Sequence, residues 1–476
     1  MNRSLLALAL LIATPATAQV APPLQQRVET VLAEAGPGVR YGLVVTDEAG
    51  REIVAINPDG RFIPASNTKM FTTAVAFHTM TGLDQPDVAG GTVVLLDGKD
   101  VVLEGAGDAR LSSAADCKTD CLAVLADAVA KRTRRVRDVI GDDTLFPDQR
   151  WSQGMSWNNI PSRSGTGISA LTLDDNELAL TITPGEEGAE PKVEGYPYFT
   201  LDNRIMTVTN GKTDIGYDRE PNGMVLRLTG TIKAGTVETV RVGIDDPANY
   251  AAWRFRKMLE ERGVRVTGKV TVRRRATGPA DDPANRGNPP VRAPRIAGLA
   301  QLTPPPLAED LTHINKVSQN LHAELLLRRV GLVRGMGSTQ DGLAEVRAML
   351  ALAGVPRTAY DFSDGSGMST YNRVAPRGMT IFLRWIAAQP WGEAYRATLP
   401  IGGVDGTLGR RFKGTPLEGR IFAKTGTLNA TNGLSGYMIG KSGKRLIFSA
   451  FANDVPEGVG ATKWMDAALV LIAEAN

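Results

Sequence analysis

Residues 64–74 read PASNTKMFTTA, with Ser66 three positions before Lys69. On a helix, positions i and i+3 are neighbours on one face. A lysine desolvated there holds its proton weakly and can take one from a serine hydroxyl. That makes a nucleophile and its base without a histidine. A helix-capping serine beside a solvated lysine is the competing reading of the same residues. Two facts favour the reactive pair: it is the single S-x-x-K of the chain, and Met70 to Phe77 are apolar enough to bury the helix.

A Ser-His-Asp arrangement has little to draw on. The histidines are His78, His313 and His322, and no Gly-x-Ser-x-Gly elbow is present. His78 lies on the apolar helix after Lys69 and reads as a core or boundary residue. His322 follows Ser318 by one turn, either bordering a site or on a helix surface. Ser318-Gln319-Asn320 stands before a helix, where a hydroxyl and an amide could relay a proton and hold a peptide group. Ser156-Trp157-Asn158 has the same spacing, but in a loop of aromatic and turn residues. Lys424-Thr425-Gly426-Thr427 falls in an expected strand. A lysine and two hydroxyls on a strand edge suit an anionic carboxylate. A glycine there lets a substrate backbone approach closely, and strand N–H groups can serve an oxyanion hole.

These residues need a scaffold that brings them together. YGLVVTDEAGREIVAINPDG reads as two strands around a turn at 48–50, followed by a helix over 67–80. GGTVVLLDGKDVVLEGAGD is again strand-turn-strand, and 119–135 is helical with a basic end. From 165 to 245 short alternating segments predict a β-rich region. A helix follows in ANYAAWRFRKMLEERG, closed by Gly263, and then a Pro/Gly-rich exposed loop over 276–294. Helical texture resumes after the prolines at 304–306 and again at 338–353. RIFAKTGTLNATNGLSGYMIGKSGKRLIFSAFAND predicts antiparallel strands with a turn at 441–443, and the C-terminal segment a short core helix.

The 476 residues are 42% hydrophobic and 22% charged, an ordinary globular balance with room for two or three domains. A net charge of +3 is too weak and diffuse for a nucleic-acid partner. Arg3, the apolar run Leu5–Ile12 and Ala16-Thr17-Ala18 follow the pattern of a cleaved export signal over residues 1–18. The run is too short to span a bilayer, and no later stretch reads as a transmembrane anchor. An exported chain with one close cysteine pair makes Cys117 and Cys121 a candidate disulfide, although spacing alone does not decide it. Nothing near them supplies two further zinc ligands.

S-x-x-K, S-x-N and K-T-G in this order form the motif set of β-lactamases and penicillin-binding proteins. With GDDTLF, ISALTLDDNEL, SQNLHAELLLR, DFSDGSGMS and LPIGGVDGTLGRR beside them, the chain resembles the D-alanyl-D-alanine carboxypeptidase/endopeptidase family, the low-molecular-mass class C penicillin-binding proteins. The resemblance covers nearly the whole mature chain.

It implies an α/β (α+β) fold, an antiparallel sheet flanked by helices, with two nested inserted domains. The boundaries expected are 19–86 and 296–476 for the catalytic domain, 87–164 and 246–295 for the insertion, and 165–245 for the inner β-rich domain. The gap of about 250 residues between Ser66 and Ser318 is the room such insertions need. By the same resemblance Ser66 attacks the penultimate D-Ala carbonyl of peptidoglycan stem peptides and Lys69 is its base. Ser318 passes a proton to the leaving amine, Lys424 shapes the electrostatics and Asn320 binds the substrate amide. Thr425 and Thr427 hold the terminal carboxylate beside Gly426, and the N–H groups of Ser66 and Thr427 form the oxyanion hole. Asp364 and Ser366, in the D-G-S-G turn, are expected at the substrate.

No metal or cofactor is implied; β-lactam antibiotics are implied as covalent inhibitors, and the periplasm as the location. Where the family often carries an arginine that meets the stem peptide's diamino acid, this chain has Thr370, with Arg373 three residues on. A β-lactamase-type hydrolase is the alternative. Against it stand the absence of a Glu-x-x-Leu-Asn motif and the presence of S-x-N rather than Tyr-x-Asn. A wall-binding module without catalysis would need a motif residue to be missing, and none is.

Overall fold

The computed structural model describes residues 22–284 and 297–476. The export-signal reading of residues 1–18 lies outside them, as does the later part of the Pro/Gly-rich loop. The alternating segments near the start form the strands Arg40–Asp47 and Glu52–Ile56. They join three strands from the far end of the chain, Ile421–Leu428, Thr431–Ile439 and Arg445–Asn453. The spatial order is 421–428, 431–439, 445–453, 40–47 and 52–56, antiparallel throughout. The middle of the chain is therefore an excursion from a sheet that both ends build.

Both faces of this sheet are covered, as its runs of apolar residues require. The helices Leu24–Ala33 and Ala461–Ala475 set Val28, Leu32, Leu469 and Ile472 against Leu43, Val45 and Phe448. On the other face, the helices Lys69–Thr79, Asn320–Gly331, Thr339–Leu352 and Pro376–Ala387 bring Phe71, Leu327, Met349 and Phe382 onto Ile447 and Phe451. Phe71 lies between Phe362 and Phe382, with ring centroids 4.7 and 4.6 Å away. Burying one such ring is worth about 2–3 kcal/mol, so the helix that begins at Lys69 is firmly seated.

A second five-stranded sheet has the order 270–275, 139–147, 100–104, 93–97, 300–301. It packs against the helices Leu122–Arg132 and Pro247–Glu261 through Leu125, Val129, Ala251 and Phe255. The Asp246 carboxylate accepts from Asn249 N and caps the latter helix, which has proline in its first turn, where no N–H is needed. The β-rich region forms two three-stranded sheets, 214–218/225–233/200–208 and 238–243/177–183/192–194. Along Val225–Lys233, Leu226 and Leu228 turn inward while their neighbours face solvent. Cys117 and Cys121 are joined as a disulfide. Among the described residues no helix is long and apolar enough to cross a membrane.

The helical texture after the prolines is interrupted. Leu307–Val317 ends at Ser318, whose φ is +66°, and a new helix starts at Asn320. The segment before Lys69 also departs from a plain α-helix: Ala65–Thr68 is a tight 3₁₀ turn entered through Ala65 at φ +47°. Left-handed backbone at a non-glycine residue costs about 1–2 kcal/mol, and these two of the eleven such residues among those described fall on motif segments.

Candidate active site

The motif residues that are far apart in sequence meet between the sheet edge and the helices. Ser66, on its 3₁₀ turn, lies with Oγ 2.9 Å from Lys69 Nζ. Lys69 is fully buried at the start of its helix. Its ammonium nitrogen also donates to Asn320 Oδ1 at 2.6 Å and to the Ser366 carbonyl at 2.6 Å. Lys424, equally buried, donates to Ser318 Oγ at 2.9 Å and to its neighbour's carbonyl, Thr425 O, at 3.0 Å. Five predicted residues thus form two lysine–serine pairs side by side, with Asn320 joined to the first.

Burial sets the electrostatics. It pulls the Lys69 amine down to about 7, against the attraction of Asp364 and Glu324. Burial, then the charge of Lys69, holds Lys424 well below its ordinary value. Near neutral pH Lys69 is consequently able to accept a proton. With two of its three directions committed to the obligate acceptors Asn320 Oδ1 and Ser366 O, its lone pair is left toward Ser66.

The strand carrying Lys424 is the outer strand of the sheet. Its free edge is covered at Phe422 and Ala423 by Ile401 and Pro400, and continues past Lys424 to Thr427. An extended peptide can add to such an edge. Thr425 donates from its hydroxyl to Thr407 Oγ1 at 2.8 Å, and Thr427 is exposed. Gly426 has a reason for its size within the fold: a Cβ there would stand 2.5 Å from Pro64 O and 2.9 Å from Asn67 Nδ2. The glycine lets the strand lie against the nucleophile's own turn. Asn67, fully buried, then fastens the two by donating to Lys424 O at 3.2 Å.

Asp364 and Ser366, expected at the substrate, sit beneath the cleft, each only 1% exposed. The Asp364 carboxylate is taken up by internal donors, accepting from Gly367 N, Ser369 N and Asn372 Nδ2 and from the Ser152 hydroxyl. Ser366 contributes its carbonyl to Lys69, and its hydroxyl accepts from Met368 N at 3.4 Å within the turn. The physical reason is the D-G-S-G turn, whose N–H groups at Gly365 and Ser366 point down to Glu324 Oε1 at 3.0 and 2.8 Å. Burial and the nearby Asp364 raise Glu324 to about 7.

Glu324, Asn67 and the Ser164 carbonyl, which accepts from Asn320 Nδ2 at 3.0 Å, were not among the sequence candidates. The first lies in SQNLHAELLLR, one turn after the S-x-N asparagine, and that position on the same helix face was its signal. The other two carry none. Ser156 donates to Asn158 Oδ1 in an exposed turn and meets neither motif lysine. Thr370 is exposed and donates to Gly154 O, while Arg373 donates to Thr370 O. His322 is not on a helix surface but buried between Asp175 and Asp310, at 2.8 and 3.3 Å. Among the described residues no group of three or more His, Cys, Asp or Glu side chains is placed to hold a metal.

The chain is 32% identical over 502 residues to the D-alanyl-D-alanine carboxypeptidase of Actinomadura sp. (strain R39), covering 99% of this chain and 89% of the relative. Its fold is similar to the crystal structure of penicillin binding protein 4 (dacB) from Haemophilus influenzae, with TM-score 0.76, 22% identity, and 94% and 98% of the two chains covered. A second crystal structure of that protein, complexed with a β-lactam, matches with TM-score 0.72 at 21% identity over the same shares. The profile of the D-Ala-D-Ala carboxypeptidase 3 (S13) family matches residues 24–475, and the chain belongs to that family.

Proposed function

We propose that this protein is a serine-type D-alanyl-D-alanine carboxypeptidase that also cleaves D-Ala cross-links of peptidoglycan stem peptides. The observation that carries the reading is the joined array Ser66–Lys69–Asn320 beside Ser318–Lys424. Neutral Lys69 takes the Ser66 proton as Oγ attacks the carbonyl carbon of the penultimate D-Ala. The tetrahedral adduct collapses, the C–N bond breaks, and Ser318 passes a proton to the departing amine. Water then attacks the acyl-enzyme and frees the shortened peptide. Asn320 orients the substrate amide, Thr425 and Thr427 hold the terminal carboxylate, and the N–H groups of Ser66 and Thr427 receive the oxyanion. No cofactor enters these steps.

A β-lactam presents an amide to the same nucleophile, and the β-lactam complex of the Haemophilus influenzae protein supports acylation here. The signal-like residues 1–18 support a periplasmic location. The sheet shared by both chain ends supports a catalytic unit built from 19–86 and the C-terminal part of the chain, with 87–164 and 246–295, then 165–245, nested within it; the strand 300–301 pairs with 93–94 in the second sheet, which favours a return to the catalytic unit after 301 rather than at the expected 296.

Incubation with benzylpenicillin, followed by intact mass against a Ser66→Ala variant, tests the reading. A lasting single adduct absent from the variant is expected. An adduct gone within seconds while penicillin is consumed would point to a β-lactamase-type hydrolase. No adduct would return Ser66 to a structural role.

A further inference from the structure

Asn315 lies one turn before Ser318, on the helix Leu307–Val317, and is fully buried. Its Nδ2 donates twice, to Thr73 Oγ1 at 3.1 Å and to Thr398 Oγ1 at 2.8 Å. Each threonine sends its own proton elsewhere. Thr73 Oγ1 donates to the Lys69 carbonyl at 2.9 Å, and Thr398 Oγ1 to the Tyr395 carbonyl at 2.7 Å. A hydroxyl has a single proton, so both oxygens face Asn315 as acceptors.

The arrangement carries a cost that packing does not explain. Asn315 Oδ1 has no hydrogen-bond donor among the described residues, and a buried carbonyl left unmet is unfavourable. A leucine of similar volume would fill the space without that penalty. What the amide adds is a pair of directed bonds, and both lead to the motif lysines. Thr73 stands one turn after Lys69 and holds its carbonyl. Thr398 opens the segment in which Pro400 O accepts at 3.0 Å from Ala423 N, the residue before Lys424.

The neighbouring residue grips the same segment. Lys316 Nζ donates to Asp405 Oδ2 at 2.6 Å, and a Cβ on Gly406 would stand 2.6 Å from Lys316 O. The last turn of the helix is thus tied to the element of each lysine. Ser318 follows it directly at φ +66°, with Oγ 2.9 Å from Lys424 Nζ. A hydroxyl that must hand a proton to a departing amine depends on such a brace: a misplacement of about 1 Å can cost about 10²-fold in rate.

We propose that Asn315 is a positioning residue for the reaction: by holding the last helical turn to Thr73 and Thr398, it sets the Ser318 hydroxyl against Lys424. The inference rests on the DD-peptidase reading above.

Asn315→Leu tests it, beside Thr398→Val, which removes one of the two acceptors. With a pentapeptide ending in D-Ala-D-Ala, kcat should fall about 10²-fold in Asn315→Leu and about tenfold in Thr398→Val. KM should stay within about threefold of the parent. Long incubation with benzylpenicillin should still add one adduct to every chain, which separates slow chemistry from lost fold. The pH midpoint of acylation should not move, because Lys69 stays buried beside the same charges. In a Ser318→Ala background, Asn315→Leu should slow acylation by less than about threefold, since the group it positions is gone. A residue that only supports the fold would cost the same in both backgrounds. Equal losses there, a shifted midpoint, or full activity in Asn315→Leu would overturn the proposal. Should Asn315→Leu not fold, the same cycle with Thr398→Val decides. A parent that neither trims the pentapeptide nor takes up benzylpenicillin would remove the DD-peptidase reading itself.

Discussion

Lys69 Nζ stands 2.9 Å from Ser66 Oγ while two obligate acceptors, Asn320 Oδ1 and Ser366 O, each hold it at 2.6 Å. A charged ammonium would donate in all three directions and leave the serine proton in place. The neutral amine donates twice and offers its lone pair to Ser66. Function therefore depends on burial overcoming the nearby carboxylates, which it does to the extent of bringing the amine to about 7.

The acylation rate with benzylpenicillin should accordingly rise with pH and level off above a midpoint near 7, because the base works only when deprotonated. Rates of adduct formation by quenched intact mass between pH 5.5 and 9 measure this. Lys69→Ala should slow acylation by about 10²–10⁴-fold without loss of fold. A profile flat across that range would remove Lys69 from the role of base.

Glu324 tunes that midpoint from below. When ionised it raises the Lys69 pKa, and because burial and Asp364 bring Glu324 itself to about 7 that charge is partly present at the midpoint; its Oε1 accepts two buried N–H groups. Glu324→Gln keeps an acceptor and removes the charge, so the acylation profile should move to lower pH with stability nearly kept. Glu324→Ala strands both N–H groups and should cost about 1–3 kcal/mol in urea unfolding. If the glutamine variant moved the midpoint upward, the electrostatic role assigned to Glu324 would be wrong.

The three motifs were legible in the sequence because each is a short run whose residue types carry the chemistry by themselves. The strands around 40–56 and 421–453 were legible too, since alternation and turn residues mark them locally. What the sequence did not disclose is what the fold adds from a distance. Asn67 looks like a turn residue until Lys424 O is placed above it. A role of Gly426 within the fold appears once Pro64 O is seen against it. Asp364 and Ser366 have the polarity of ligand-binding residues, but the turn they build needs that polarity for its own backbone.

Ser318 combines strain and chemistry at one residue. It holds φ +66° so that its Oγ reaches Lys424 Nζ. Ser318→Gly removes the left-handed penalty of about 1–2 kcal/mol, partly offset by the greater freedom of an unfolded glycine. The variant should melt at or above the parent's temperature while its peptide turnover falls by about 10²–10⁴-fold. Calorimetry beside pentapeptide cleavage checks both halves. A marked loss of stability would mean that the serine hydroxyl supports the fold more than the reaction.

His322 ties the two helical and inserted segments together through Asp310 and Asp175. Its folded pKa is raised to about 9 from an ordinary 6.5, because the two carboxylates outweigh the effect of burial. A group raised in the folded state stabilises fully below its unfolded value and loses that contribution as pH climbs through the folded one. Unfolding free energy should thus decline between about pH 6.5 and 9 by on the order of 2–3 kcal/mol from this residue. His322→Asn, unable to carry charge, should be less stable than the parent at pH 6 and should lose most of this decline. Urea titrations of both proteins at pH 6, 7.5 and 9 decide the matter. Parallel curves for the two proteins would show that the imidazole is not held as a cation between its aspartates.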